Sequence, residues 1–486
     1  MHRPLPLGSR RAPAGARARR IAAALAALPA LAALTDLAAL PAAAQEPYIA
    51  AACSDYTTGS LGALGSVDPW PGQSDLASIH ADAVLTCHGG LVFVVNRLGA
   101  DNVQVVDPAQ DWQTVRQFSV GTASNPQCLV FSPDGARAYL PRQERDDVLI
   151  VDPETGAPLD TVDLSAWADA DGFCEVGQAV LAGDRLLVAI QRLDRDYYWL
   201  PVGDSYLAVI DTATGQLVDA NPTQPGVQAI PLQHANPAWE LTLAADGLVY
   251  ACCAGTYGLT DGALERVDPA AMASLGPAVT EAALGGDVNA VCLVDAHTAY
   301  AVVSDAGFNT VLERFDPATG GGVSVVLAGA GYVYTDVETD ASGDLYLTDQ
   351  TLGASGVRVL DAATGSLLAG PVSLGLPPYD IAVPAAATAA PVPPAALGSR
   401  LTASPNPFNP RTILAWEGLP AGPVRLDVFD VRGRRVDRRD LGGQDGAGAA
   451  AWSGHGAGGG ALPAGVYLAR VTAGGRSAAC RLVVLK

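Results

Sequence analysis

Short segments of alternating apolar and polar residues fill most of the chain after residue 46, and turn residues separate them. One apolar run over residues 128–131 ends in Ser132-Pro133-Asp134-Gly135, and a second alternating run follows at once from Ala138. Asp-Gly between two such runs favours a β-hairpin, because both positions tolerate a positive φ. The pattern therefore predicts strands joined by tight turns.

One strand of this pattern recurs with the same ending, an aspartate followed by a turn that often reads Ala-Thr-Gly. Seven copies are spaced by 39, 45, 59, 57, 48 and 45 residues, and they end at Asp68, Asp107, Asp152, Asp211, Asp268, Asp316 and Asp361. This period is typical of the four-stranded blades of a β-propeller. We therefore predict an all-β fold with a seven-bladed β-propeller over residues 46–385. We expect the repeated aspartates to be structural, accepting backbone N–H groups at the strand ends.

The two ends of this region are each an incomplete blade. The segment from Tyr48 matches the second strand that begins near Tyr300, so the region starts inside a blade. The segment 379–383 matches a first strand, and no second strand follows it. These matches predict one blade shared by both ends, which removes two exposed sheet edges.

The first 45 residues have the order of a secretory signal peptide. Six arginines precede an apolar run over residues 21–34, and Ala42-Ala43-Ala44-Gln45 supplies small residues for cleavage. A membrane anchor is the weaker alternative, because Asp36 would lie inside the bilayer. No later segment is apolar for long enough to span a membrane. We predict an exported protein at the cell surface or outside the cell.

The acidic composition limits the classes of partner that the protein is expected to bind. The formal charge is −21 and Lys486 is the only lysine; without residues 1–45, which hold six arginines and one aspartate, it becomes about −26. A nucleic-acid partner is not expected, since a phosphate backbone requires a basic face. The composition suits solubility outside the cell, although GC-rich coding also explains arginine in place of lysine.

The eight cysteines all follow residue 45, where an exported chain permits disulfides. Seven fall in the predicted propeller and Cys480 stands alone, so each domain has an odd number and the pairing stays open. No Cys-x-x-Cys pair with metal-site spacing and no Cys-x-x-Cys-His haem motif occurs. The sequence therefore predicts no metal site and no cofactor.

After the predicted propeller, residues 386–399 are rich in Ala and Pro and form a predicted linker. Residues 400–486 return to alternating strands with Gly-rich turns, a pattern that predicts a small β-sandwich. Its opening motif is Asn406-Pro407-Phe408-Asn409-Pro410, and later segments include 430–436 (Asp-Val-Arg-Gly-Arg-Arg-Val) and 465–467 (Gly-Val-Tyr).

Both parts resemble known families. The Ser-Pro-Asp-Gly turn, the Ala-Tyr strand and the Val-Ile-Asp-x-x-Thr-Gly strand resemble YVTN-type repeat propellers, which are mostly extracellular or periplasmic binding and surface proteins. Residues 400–486 resemble the type A C-terminal sorting domain of type IX secretion cargo, and they are similar to an Ig-like domain of flagellar hook-cap proteins. Ser453 departs from the aspartate common in that family. The resemblance implies delivery by the type IX secretion machinery through residues 400–486.

Two groups of residues are candidate ligand sites. Residues that enter the first strand of each blade should lie around one mouth of the central channel; these are Asp82, Cys128, Glu175, Glu240, Asn289, Asp336 and Asp380. The rim is acidic and suits a cation or a basic ligand, with a merely solvated channel mouth as the alternative. An insertion over residues 191–200 adds Arg192, Arg195, Tyr197, Tyr198 and Trp199, a composition typical of recognition surfaces. It is interpreted either as a stacking surface for a sugar or peptide, or as a loop packed on a neighbouring blade.

The sequence contains no recognisable catalytic nucleophile, His pair or cofactor motif, so no catalytic residue is assigned. The favoured function is a non-catalytic surface or secreted protein that binds a glycan or protein ligand on a propeller face. The alternative is an extracellular lyase or hydrolase acting on a polymer, with Glu175, Glu240 or Asp336 at the channel mouth. The acidic stretch 336–344 lacks the spacing of a calcium-binding loop.

Overall fold

The computed structural model describes residues 48–384, 400–409, 411–417, 419, 422–430, 434–444, 447–473 and 476–485. All of them belong to the compact unit Pro47–Lys486. The predicted signal peptide (1–45) and the predicted linker (386–399) lie outside the described residues. The protein is all-β, with many four-stranded antiparallel sheets, an organisation consistent with a propeller.

Within residues 48–384, seven antiparallel sheets have a path of four strands, and we number them 1 to 7. In spatial order the strands are Pro378–Ala382, Tyr48–Ser54, Gly59–Gly65 and Gly72–Ile79 (sheet 1); Ala83–His88, Leu91–Asn96, Asn102–Asp107 and Gln113–Ser119 (sheet 2); Val130–Phe131, Ala138–Arg142, Asp147–Val151 and Pro158–Asp163 (sheet 3); Val176–Ala182, Arg185–Ile190, Tyr206–Asp211 and Gln216–Val218 (sheet 4); Leu241–Leu243, Val249–Cys253, Ala263–Asp268 and Ala273–Thr280 (sheet 5); Asp287–Asp295, Thr298–Ser304, Thr310–Asp316 and Gly321–Ala328 (sheet 6); and Val337–Thr339, Asp344–Asp349, Gly356–Asp361 and Leu367–Val372 (sheet 7).

Several smaller elements accompany these seven sheets. Ile230–Pro231 pairs with the third strand of sheet 4, and Leu193–Asp194 pairs with Leu200–Pro201 in a separate hairpin. The helical segments are short; they are Pro108–Gln110, Ser165–Trp167 and Glu281–Leu284. The described residues contain no helix long and apolar enough to cross a membrane.

The second strands of the sheets are apolar on both sides because each sheet packs against two neighbours. In strand Tyr48–Ser54, Ile49, Ala51 and Cys53 face sheet 7, whereas Ala50 and Ala52 face sheet 2. Successive side chains of a strand point to opposite faces, so a continuous apolar run supplies both contacts. Every buried cluster in residues 48–384 is shared by two consecutive sheets, and the last joins sheet 7 to sheet 1.

Sheet 1 combines both ends of this region. Strand Tyr48–Ser54 pairs antiparallel with Pro378–Ala382, with Ala50 opposite Ala382 and Ala52 opposite Asp380. The pairing confirms the prediction that the two ends contribute to one sheet. It also gives strand Tyr48–Ser54 a hydrogen-bonded neighbour on each side, so neither of its edges is left open.

The repeated aspartates have the structural role expected from the sequence at six of the seven positions. At each of these the carboxylate accepts backbone N–H groups of the turn that follows; the positions are Asp107, Asp152, Asp211, Asp268, Asp316 and Asp361. Asp211, for example, accepts the N–H and the hydroxyl of Thr214 at 2.8 Å each. Asp68 makes no such bond within the described residues.

The connections divide each sheet into two ends, to which we give fixed names. The turn end carries the turns from first to second and from third to fourth strands, such as 132–137 and 152–157. The loop end carries the connections from second to third strands and from each sheet to the next, such as 97–101 and 329–336.

Residues 400–486 form two further sheets. One contains Arg400–Ser404, Thr412–Glu417 and Gly448–Trp452; the other contains Arg435–Gln444, Gly422–Asp430, Gly465–Ala473 and Arg476–Val484. Side chains from both sheets share one apolar core around Trp452, which is fully buried. Its indole N–H donates to Asp437 at 2.9 Å, and Arg439 donates to the same carboxylate at 3.0 Å. All eight cysteines lie in the described residues, and none is in a disulfide.

Candidate ligand-binding cavity

A cavity of about 740 Å³ opens at the loop end, and we call it the central cavity. The innermost strand of every sheet, or one of the two residues before it, contributes to its wall. These contributors include Asp380, Asp82, Cys128, Gln178, Glu240, Asn289, Asp336 and Glu338. The strand order explains the convergence, since the first strand of each sheet lies at the same end of every four-stranded path.

Three of the lining carboxylates also connect neighbouring sheets. Asp336 accepts the backbone N–H of Ile381 at 2.7 Å, Asp380 accepts that of Leu85 at 2.8 Å, and Glu240 accepts that of Val291 at 3.1 Å. Each of these bonds joins the innermost part of one sheet to the innermost strand of the next. The carboxylates are therefore held in place by the frame.

Burial disfavours the ionised form of these carboxylates. Although they touch the cavity, protein surrounds them, and desolvation raises the pKa of Glu240 to about 7 and that of Asp336 to about 6. Glu338 and Asp380 have pKa values well above their usual range, first because of desolvation and then because of the nearby carboxylates, including Asp336. A positive charge in the cavity would relieve both effects.

Arg97 is the one arginine among the described residues that line the cavity. Arg97 donates through Nε to Asp82 at 2.9 Å and through Nη2 to the same oxygen, and about a quarter of each side chain is exposed. Asp82 is thereby paired, whereas Glu240, Asp336, Glu338 and Asp380 have no basic side chain as a hydrogen-bonding or ion-pair partner within the described residues. The cavity retains excess negative charge when they ionise.

Aromatic side chains stand at the mouth of the cavity. Tyr56, Trp239 and Tyr332 line it and are 79%, 36% and 38% exposed. The Tyr56 hydroxyl donates to Gln350 at 3.0 Å, and the Trp239 ring meets Tyr257 edge-on with centroids 6.2 Å apart. Aromatic faces attract organic cations through the ring quadrupole, so the mouth and the carboxylates favour the same class of ligand.

Asn289 adds a polar group without a partner. Its side chain is only 5% exposed, lines the cavity and accepts the Ser304 hydroxyl at 3.3 Å through Oδ1, but Nδ2 donates to no group among the described residues. A buried amide donor left unsatisfied costs free energy. A ligand with a hydrogen-bond acceptor in the cavity would satisfy it.

The sequence-predicted site residues separate into two places. Asp82, Glu240 and Asp336 line the central cavity, together with Cys128, Asn289 and Asp380 of the predicted rim. Glu175 does not line it, because its carboxylate turns to the insertion: Oε1 accepts Arg195 Nε at 2.6 Å and Oε2 accepts the Leu193 N–H at 2.8 Å. Gln178 of the same sheet takes its place in the wall.

The insertion is a hairpin built around Arg195, at the loop end. The guanidinium donates to Glu175 and Glu144 at 2.6 Å each and lies 3.7 Å from the centre of the Phe173 ring. Arg192 donates to the carbonyl of Asp204 at 3.2 Å. The aromatic side chains of the hairpin remain exposed, with Tyr197 at 60%, Tyr198 at 84% and Trp199 at 42%.

Sequence reasoning missed Glu338, Arg97 and the aromatic mouth. Glu338 was available from the pattern, because it follows Asp336 by two positions and so shares its side of the strand. Arg97, Trp239 and Tyr332 lie in connections, and their placement depends on how seven sheets come together. No group of three or more potential ligands within the described residues is arranged to hold a metal ion.

The chain matches no family model and no curated protein. Its structure is similar to that of a Lactobacillus plantarum protein, with 15% identity over 69% of this chain and 98% of that chain and a TM-score of 0.49. It is similar to apo AztD from Citrobacter koseri, with 15% identity over 69% and 97% and a TM-score of 0.43. It is also similar to PorZ, an essential bacterial surface component of the type-IX secretion system of Porphyromonas gingivalis, with 13% identity over 88% and 64% and a TM-score of 0.40. The neighbours are β-propeller-like proteins; at these identities and TM-scores no ligand or role is carried over from them.

Proposed function

We propose that the protein is an exported binding protein whose central cavity takes an organic cation. In this proposal sheets 1 to 7 are the blades of one seven-bladed propeller, and residues 400–486 are an Ig-like sorting domain for type IX secretion. The closed order of the apolar clusters and the sheet shared by both ends support the blade count. The signal-like residues 1–45 and the sorting-domain resemblance support export.

The composition of the central cavity is the observation that supports an organic cation as the ligand. Four carboxylates with raised pKa values line it, while its one lining arginine is already paired with Asp82. A bound cation would offset the cost of ionising Glu338 and Asp380 in a buried place. The aromatic mouth favours an organic cation, such as an alkylammonium or guanidinium group, over a metal ion.

Titration calorimetry with spermidine tests the ligand class. We expect saturable binding that weakens at least about tenfold in a Glu338→Gln/Asp380→Asn double variant, because both side chains become neutral while the new amide at position 380 still offers an oxygen to the Leu85 N–H. Asp246→Asn, in an exposed turn where the side chain accepts only the Leu248 N–H, is the matched control. Equal spermidine binding by the double variant and the parent contradicts the proposal.

Delivery has a separate test. A chain lacking residues 400–486 should stay within the cell envelope of a host that has type IX secretion, whereas the full chain should reach the surface. Protease accessibility on intact cells measures the difference. Normal surface delivery of the shortened chain contradicts the sorting assignment and leaves the cavity proposal untouched.

A second candidate function is catalysis at the same cavity, acting on an extracellular polymer. The observation that favours it is the near-neutral pKa of Glu240 and Asp336, since such carboxyl groups serve as general acids and bases. A glycan array followed by product analysis separates the two candidates. Binding without turnover supports the binding protein, whereas released product that disappears in Glu240→Gln supports the enzyme.

A further inference from the structure

The loop end presents exposed apolar side chains on nearly every connection around the cavity. Six of the seven connections between second and third strands carry such a residue, heavily exposed at the tip. These residues are Tyr56, Leu98, Tyr198, Tyr257, Phe308 and Leu352, with exposures from 46% to 100%. We call this set the apolar rim.

Part of the apolar rim borders the central cavity. Tyr56 and Leu98 belong to both, and Trp239, which lines the cavity, touches Tyr257 of the rim. A ligand confined to 740 Å³ would touch only the inner part of this surface. Phe308 and Leu352 do not line the cavity and need a larger partner to be covered.

The net charge of residues 48–384 indicates whether that partner is acidic or basic. Residues 48–384 contain 42 aspartates and glutamates against 11 arginines and no lysine. Such an excess attracts basic partners and repels acidic ones, including nucleic acid. Exposed aromatic and aliphatic side chains in one patch are typical of protein interfaces, where such residues supply most of the binding energy.

We propose that the loop end docks a basic polypeptide that inserts one lysine or arginine side chain into the central cavity and lays apolar side chains over the apolar rim. This proposal rests on the proposed function, since the inserted side chain is the organic cation of the cavity. A neutral glycan would leave the carboxylates of the cavity uncompensated. A polypeptide also offers backbone carbonyls, which can accept a hydrogen bond from Nδ2 of Asn289.

Selection from a displayed library of random twelve-residue peptides on the purified protein tests the partner class. We expect enriched peptides to combine a lysine or arginine with flanking apolar residues. A synthetic peptide with an enriched sequence should bind a Phe308→Ser/Leu352→Ser variant about tenfold more weakly than it binds the parent protein. Val325→Ser, at an apolar site that is 58% exposed on an outer strand, is the control and should leave affinity unchanged.

Spermidine separates failure of this inference from failure of the proposed function. The Phe308→Ser/Leu352→Ser variant should bind spermidine as the parent does, because neither residue lines the cavity. If no basic peptide is enriched, or if rim and control variants bind it equally, the docking proposal is overturned while cavity binding of spermidine stands. If the Glu338→Gln/Asp380→Asn variant binds both probes normally, the proposed function itself fails.

Discussion

The turn end and the loop end of the same seven sheets use their polar and apolar residues in opposite ways. At the turn end, side chains bond to the neighbouring sheet: Tyr139 donates to the carbonyl of Thr212 at 2.8 Å, and Tyr300 donates to that of Ala362 at 2.9 Å. Arg185 likewise donates to the carbonyl of Pro269 at 2.7 Å. These three side chains of the turn end thus use hydrogen bonds to hold neighbouring sheets together.

Aspartates bonded to turns and carboxylates of the central cavity differ in the direction of their pKa shifts. At the turn end, the bond to the Thr214 N–H lowers the pKa of Asp211, and that to the Thr364 hydroxyl lowers the pKa of Asp361. In the central cavity desolvation raises the pKa of Glu338 and Asp380. Aspartates bonded to turns therefore stabilise the fold, whereas the cavity carboxylates carry a charge that a ligand could compensate.

The pH dependence of stability should show the largest effect. Because the folded-state pKa values of Glu240 and Asp336 lie near 7 and 6, above those of unfolded carboxyl groups, the folded state retains protons that the unfolded state releases. The stabilisation is present below the unfolded pKa and is lost as pH rises through about 7. Each proton of difference changes the free energy of unfolding by about 1.4 kcal/mol per pH unit.

Thermal unfolding at pH 5, 6, 7 and 8 measures this trend, and we expect the highest stability at the acidic end of that range. A Glu240→Gln/Asp336→Asn variant should show a flatter profile. A parent that becomes more stable from pH 5 to pH 8 would show that Glu240 and Asp336 do not hold extra protons in the folded state over this range.

Removing the Arg195 side chain should have the next largest effect. Arg195→Ala leaves Glu175, which is fully buried, without its ionic partner, and such a loss typically costs about 3 kcal/mol or more. Arg192→Ala, which removes a bond to one exposed carbonyl, is the control and should cost much less. Chemical denaturation of both variants makes the comparison; equal stability would mean that the hairpin is not held by Glu175.

A single hydroxyl tests the turn end. Tyr139→Phe removes the buried bond to the Thr212 carbonyl and should lower the free energy of unfolding by about 1 kcal/mol. Tyr250 occupies the same place in sheet 5 and makes no such bond among the described residues, so Tyr250→Phe should be close to neutral. Spermidine affinity should be unchanged in both, and a loss of affinity would break the division between the two ends.

The smallest effect is expected at the tip of the hairpin. Tyr198 has a φ of +58° and is 84% exposed, so its ring gains little from burial while its backbone is disfavoured. Tyr198→Gly should raise the free energy of unfolding by up to about 1 kcal/mol. Tyr197→Gly, at a position without a positive φ, should not be stabilising. Denaturant titration distinguishes the two, and a destabilised Tyr198→Gly protein would mean that the ring makes a contact that matters for folding.

Much of the frame follows from local pattern. Alternation predicts the strands, the repeated aspartate marks the third strand of each sheet, and the unmatched segments at Tyr48 and Tyr379 predict the shared sheet. These features depend on residues close together in sequence, since strand period, turn residues and the bonds of Asp211 to Thr214 are all local. The acidic rim was predictable for the same reason, because Asp82, Glu240 and Asp336 occupy equivalent positions before the first strands.

Only the tertiary structure decided which of those residues share a site. Glu175 has the same local position as Glu240, yet a hairpin inserted twenty residues later supplies Arg195 and withdraws its carboxylate from the cavity. Arg97, Trp239 and Tyr332 join the site from three different connections. Sequence alone determined that the chain has repeated four-stranded sheets and an acidic balance. The closure of those sheets determined that four carboxylates are buried together around one cavity, because burial and mutual repulsion arise only when distant strands meet.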